Sequence, residues 1–198
     1  MNPFHIVIGS YAGSPWLADA VAALPKDIPS IVVLEPNYEC GKIGWVWRHT
    51  DIEEFLYLPD TAILKRHDWI YNMRDAEGQS MAVSPEPAPY GCFMGKYRRV
   101  VLDEIGVPTT PDKRSACDAE QWWCRTYYAK AGEMEGVLPP IIFPDFQHGP
   151  NPARIEMRHG RRNAVIENAY LVKYKGTWNG CMIDGSEARD RVLAGRGK

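Results

Sequence analysis

Phe4-His5-Ile6-Val7-Ile8-Gly9-Ser10-Tyr11 is a short apolar run that ends in Gly-Ser. A run of this length, rich in β-branched residues, predicts a buried strand, and Gly9-Ser10 breaks it. The next segment has a different period. Ser14 suits a helix N-cap and Pro15 the first helical position. Leu17, Val21 and Leu24 recur at i, i+4 and i+7 and supply that helix with a core face. Pro25 and Pro29 bracket a loop. Ile31 to Leu34 predicts a second buried strand, stopped at Glu35-Pro36, and a helical stretch over about 42–49 follows Gly41. Phe55 to Leu58 predicts a third strand, stopped at Pro59-Asp60. Strand, helix, strand, helix, strand is the pattern of a sheet with parallel strands and covered faces.

Beyond residue 60 the punctuation loosens. Asp68 to Met73 predicts a short helix and Ser80 to Val83 a strand. Ser84 to Pro89 is a proline-rich loop, and Tyr90 to Tyr97 is glycine-spaced and extended. Arg99 to Ile105 predicts a helix closed by Gly106. Thr110-Pro111 opens a longer helix to about Lys130, with Gly132 as its stop, and Ile141 to Phe143 is a strand or edge segment. From His148 the composition shifts: Arg154 to Lys175 carries a run of basic residues against two acids, Glu156 and Glu167. Such a segment either neutralises a diphosphate or forms a solvated basic face.

Composition narrows the class. The chain has 198 residues, of which 45% are hydrophobic and 24% charged, as in an ordinary globular domain. There is no run of apolar residues long enough to span a bilayer. Residues 1–10 lack the basic flank and apolar core of a signal peptide. A net charge of −2 argues against a protein that coats nucleic acid. The five cysteines include no C-x-x-C pair, and the five histidines form no H-E-x-x-H, so neither a disulfide framework nor a zinc knuckle is expected. A reduced, intracellular setting is the expectation. Seven Trp and ten Tyr are a heavy load of rings. They serve either a core built from large side chains or a wall for stacking on sugars or bases.

In an open sheet of parallel strands, ligands bind beyond the carboxyl ends of the strands. Those ends are Gly9-Ser10-Tyr11, Glu35-Pro36-Asn37 and Pro59-Asp60-Thr61, and they converge only if the three strands are parallel neighbours. Asp60 follows a strongly apolar strand. A carboxylate there either binds a hard divalent cation that also holds phosphate oxygens or is a turn residue. On the 111–130 helix, at about 100° per residue, Ala116, Ala119, Trp123, Cys124 and Tyr127 form an apolar arc, with Asp118, Gln121 and Arg125 opposite. Glu120 falls inside the arc. A carboxylate among rings must be paired, metal-bound or protonated. It is either a general base with a raised pKa or half of a structural ion pair. Gly91 and Gly95, beside Tyr90 and Tyr97, allow close approach of a ligand to the backbone or mark a bulge.

Together these segments resemble the GT-A-fold glycosyltransferases, in particular the large inverting family of nucleotide-sugar transferases and its short phage-encoded relatives. Ile6-Val7-Ile8-Gly9-Ser10-Tyr11 is similar to the family's opening strand, and the 14–24 helix to the one that follows it. Glu35 stands where the family has an Asp on the nucleotide base. Glu39-Cys40-Gly41-Lys42 resembles the glycine-led turn before the helix that lines the nucleotide. Phe55 to Thr61 resembles the strand that carries a metal-binding Asp-x-Asp. Of that motif only Asp60 is present, because Leu58 and Ala62 occupy the neighbouring positions. Tyr90-Gly91 to Arg98-Arg99 is similar to a segment ending in an Arg pair, and Asp118-Ala119-Glu120 falls at the family's catalytic acid.

The resemblance implies a GT-A-like, Rossmann-like α/β core over 1–145, mostly parallel and flanked by helices. An extension over 146–198 would pack on it and close the cleft. The implied activity is transfer of a sugar from a nucleotide-sugar donor, with Mn²⁺ or Mg²⁺ held by Asp60 and by His148 or Asp145. Gly9, Ser10, Tyr11, Glu35, Gly41 and Lys42 would hold the donor, Glu120 would be the base, and Tyr90 and Gly91 would lie on the acceptor side. The acceptor is open among a protein, a modified DNA base, a glycan and a small molecule. The expected location is the cytoplasm, that of the host if the chain is phage-encoded. A second class is a non-catalytic nucleotide- or sugar-binding module on a decayed transferase fold. A metal-dependent nuclease would need an acid-x-Lys pair downstream of Asp60, and the sequence has none.

Overall fold

The computed structural model describes residues 3–83, 94–131, 163–167 and 170–175. Three strands, β1 (His5–Gly9), β2 (Ser30–Val33) and β3 (Glu54–Pro59), alternate with α1 (Leu17–Ala22) and α2 (Glu39–His49). After them come β4 (Ala62–Leu64), α3 (Asp68–Asp75), β5 (Met81–Ala82), β6 (Gly95–Arg98), α4 (Arg99–Ile105), α5 (Lys113–Ala131), β7 (Asn163–Glu167) and β8 (Leu171–Lys175). The main sheet has the order β2-β1-β3-β6-β5. β1 is parallel to both β2 and β3. β6 is antiparallel to β3 and to β5, so four of the five strands run one way and β6 alone is reversed. This is a mixed α/β architecture with a mostly parallel central sheet flanked by helices, compatible with a Rossmann-like fold.

Strand alternation sorts the core into two layers. Ile6, Ile8, Leu56 and Leu58 face α1 and α3, against Ala20, Leu24, Trp69, Ile70 and Met73. Val7, Phe55, Tyr57 and Tyr97 face α2, α4 and α5, against Ile43, Val46, Leu102, Trp123 and Tyr127. Among the described residues, the rings predicted to serve either core or ligand stacking are largely core. Phe55 stacks on Tyr97 at 5.6 Å, and Tyr97 on Trp123 at 6.2 Å. Of the arc expected on α5, Ala116, Ala119, Trp123, Cys124 and Tyr127 are buried.

Several boundaries differ from expectation for local reasons. α1 begins at Leu17, not Pro15, and Ser14 Oγ accepts the backbone N–H of Trp16 at 3.3 Å. α5 begins at Lys113 because Asp112 takes the capping role, its Oδ1 accepting the Ser115 N–H at 2.8 Å. α2 starts three residues early, at Glu39, which places Gly41 and Lys42 in its first turn. Gly106 closes α4 as expected, at φ +70°. The proline-rich loop and the 141–143 segment lie outside the described residues.

After β3 the chain turns at Asp60-Thr61 and leaves the main sheet. β4 joins a second sheet of order β4-β8-β7, antiparallel throughout. The Lys65 and Arg66 N–H groups donate to the Tyr170 carbonyl at 2.7 and 3.1 Å and extend that join. At the other end of β3, buried Lys96 pairs with Glu54 at 2.6 Å and donates to the Met73 and Ala76 carbonyls. A buried ammonium persists only when satisfied in this way. The Arg pair on β6 and α4 is structural too. Arg98 reaches Glu54 at 3.7 Å, and Arg99 donates to the carbonyls of Trp47, Thr50 and Ile52 at the end of α2. Among the described residues, no helix is long and apolar enough to cross a membrane.

Candidate functional site at the carboxyl ends of the parallel strands

The three strand ends are aligned by register. Gly9 is opposite Val33 on one side and Pro59 on the other. The ladder runs one residue past the strands: Ser10 N–H donates to the Val33 carbonyl and Asp60 N–H to the Gly9 carbonyl, both at 2.9 Å. The convergence that depended on parallel neighbouring strands is therefore present. It brings the Ser10 hydroxyl to Asp60, donating to Oδ2 at 2.6 Å, with both residues buried. A short hydroxyl–carboxylate bond of this kind is charge-assisted. Among the described residues no Lys or Arg pairs with Asp60. Its position in a turn is real, but its burial and its serine partner distinguish it from a solvated turn residue.

The β2–α2 loop forms the adjoining wall. Asn37 Nδ2 donates to Glu35 Oε1 at 2.9 Å, and Lys42 Nζ donates to the Asn37 carbonyl at 2.8 Å. Gly41 is required by this closure, because a Cβ there would lie 2.2 Å from Asn37 Cβ. Gly9 is required as well. A Cβ at residue 9 would fall 2.0 Å from the Tyr57 hydroxyl and 2.7 Å from Lys42 Cδ. Tyr57 is wholly buried, and among the described residues its hydroxyl has no hydrogen-bond partner. Burial, and then the charges of Glu39 and Asp60, push its pKa well above the ordinary tyrosine value, so it is a proton donor.

The expected site residues divide accordingly. Gly9, Ser10 and Asp60 meet, and Glu35, Gly41 and Lys42 lie in the adjoining loop and helix turn. Tyr11 follows Ser10 and is half-buried, its carbonyl accepting the Ser14 N–H at 3.1 Å. Position 120 is on α5, but the Glu120 side chain lies outside the described residues, as do Tyr90, Gly91, Asp145 and His148. Asn37 lies in the expected strand-end segment, although no role was assigned to it, and Tyr57 was not anticipated. The usable signal for Tyr57 was a glycine ending one strand beside a tyrosine on the same face of the next. Among the described residues, no group of three His, Cys, Asp or Glu side chains is assembled for a metal. The hard oxygen donor that the described residues would offer a divalent cation is the Asp60 carboxylate.

No protein-family model matches the chain. No curated protein matches its sequence. Among solved structures it is similar to residues 1–349 of S. aureus TarS, at 8% identity and a TM-score of 0.42. That alignment covers 66% of this chain and 55% of the other, so the chain spans about half the length of that structure. A likeness at this level assigns no role to any residue here.

Proposed function

We propose that the chain is a glycosyltransferase that takes a nucleotide-sugar donor at the carboxyl ends of β1, β2 and β3. One observation carries the reading: the buried Asp60 carboxylate, held by the Ser10 hydroxyl at the join of three parallel strand ends. Lys42, Glu35 and the Gly9-Ser10-Tyr11 turn would hold the nucleotide, and Asp60 would hold Mn²⁺ or Mg²⁺. When bound, the cation would offset charge on the diphosphate leaving group. Glu120, His148, Tyr90 and Gly91 keep the roles that the resemblance implies, as base, second metal ligand and acceptor side. For Glu120, the expected outcome of Glu120→Gln is a fall in single-turnover rate of about 10²–10⁴-fold at unchanged donor affinity. A large loss of melting temperature with normal chemistry in the folded fraction would make it a structural ion-pair residue.

The test of the whole reading is a thermal-shift panel of UDP-, GDP- and dTDP-sugars with Mn²⁺. A ligand at 100 times its Kd stabilises by about 2.7 kcal/mol. No shift with any donor would overturn the reading. A second reading, a non-catalytic nucleotide- or sugar-binding module, is favoured by the residues around Asp60. Leu58 and Ala62, where the Asp-x-Asp pattern has its other carboxylate, are both buried in the apolar core. Donor binding without donor hydrolysis in Mn²⁺ would support that alternative.

A further inference from the structure

We propose that the Tyr57 hydroxyl is a ligand contact, donating to a phosphoryl oxygen of a nucleoside diphosphate alongside the Lys42 ammonium. The inference rests on the proposed donor reading and adds a residue outside the site set expected from the sequence. Its first support is an unmet hydrogen bond. A buried hydroxyl without a partner is costly, and in native proteins each such group calls for an explanation. Tyr57 Oη is fully buried and, among the described residues, unpartnered, although two carboxylates, Glu39 and Asp60, lie close enough to act on it electrostatically. A phenylalanine would fill the same space without that cost.

Its second support is place. Tyr57 lies on β3 opposite Val7, and its ring runs along the sheet so that Oη stands where a side chain on Gly9 would be. Gly9 is the last residue of β1, in the row from which Ser10 and Asp60 emerge. The third support is chemistry. Lys42 Cδ crowds the same point, and Lys42 spends one of its three N–H groups on the Asn37 carbonyl. Lys42 is nearly buried, and among the described residues it forms no ion pair. A neutral O–H donor beside the stem of a lysine matches an oxygen that only accepts and carries negative charge, as a phosphoryl oxygen does.

Tyr57→Phe tests this with UDP, GDP and dTDP as probes, each against its parent nucleoside. The expected result has two parts. The free variant melts about 2–4 °C higher than wild type, because the unmet group is gone. Its affinity for the nucleoside diphosphate that wild type binds falls about tenfold, and affinity for the nucleoside is unchanged. Equal diphosphate affinity in variant and wild type overturns the contact and leaves the donor reading intact. A lower melting temperature with equal affinity assigns the hydroxyl to a buried water and also overturns it. If wild type binds none of the three diphosphates, both the donor reading and the contact fail.

Discussion

Gly9 shows how little freedom the strand-end site leaves a single residue. Its backbone is ordinary strand, so conformational freedom is not what demands glycine. The demand comes from the Tyr57 hydroxyl and the Lys42 stem, which together occupy the space of its side chain. Gly9→Ala should therefore force Lys42 or Tyr57 to move and cost about 1–3 kcal/mol, the usual penalty of overpacking. Urea unfolding measures this, and a variant as stable as wild type would show that the two side chains yield freely. Asp60 is constrained differently. Buried Lys96 has a carboxylate and two carbonyls around it, whereas buried Asp60 has a serine hydroxyl and no cation among the described residues. The first is a completed structural pair. The second is a carboxylate whose described partner is a hydroxyl.

Among the elements, α5 docks through one hydroxyl as well as through rings. Tyr127 Oη accepts the Arg98 N–H at 2.7 Å and shares a hydrogen with Ser80 at 2.8 Å, joining α5 to β6 and to the end of β5. Burial pushes the Tyr127 pKa up from 10 to about 12, against smaller lowering effects from Ser80 and Arg98. A raised value means that folding favours the neutral phenol. That contribution is complete below pH 10 and is lost as pH rises through about 12. Tyr57, also raised by burial, acts in the same direction. Stability should fall across that window by up to about 3 kcal/mol from Tyr127. Tyrosinate absorbance followed against unfolding checks this, and full ionisation of all ten tyrosines near pH 10 in folded protein would refute it. The elements that could be read in the sequence were those with punctuation at their ends: Gly9-Ser10, Glu35-Pro36, Pro59-Asp60 and Gly106. β4 could not be read, because three residues carry no period and its place is set by pairing with β8, far along the chain. The reversal of β6 was equally hidden, since alternation reports faces and not direction.

At the scale of the molecule, the site lies where the chain passes from one sheet to the other. β3 ends the parallel set, Asp60-Thr61 turns, and β4 begins the antiparallel sheet, so a ligand at Asp60 lies beside both. The sequence placed Ser10, Glu35 and Asp60 at strand ends, and the parallel register then brought Ser10 to Asp60. It did not reveal Tyr57, because a period of two sorts a side chain to a face without saying how far along the strand it reaches. In the proposed function, Asp60 serves a metal and donor at this junction. Asp60→Asn keeps the volume and an acceptor for Ser10 while removing the charge. The direct measurement is the affinity of UDP-, GDP- and dTDP-sugars with and without Mn²⁺, in wild type and in Asp60→Asn, with melting temperature as the control for folding. Mn²⁺ should tighten donor binding about tenfold or more in wild type and have no effect in a normally folded Asp60→Asn. A variant that binds donor and responds to Mn²⁺ as wild type does would contradict that reading.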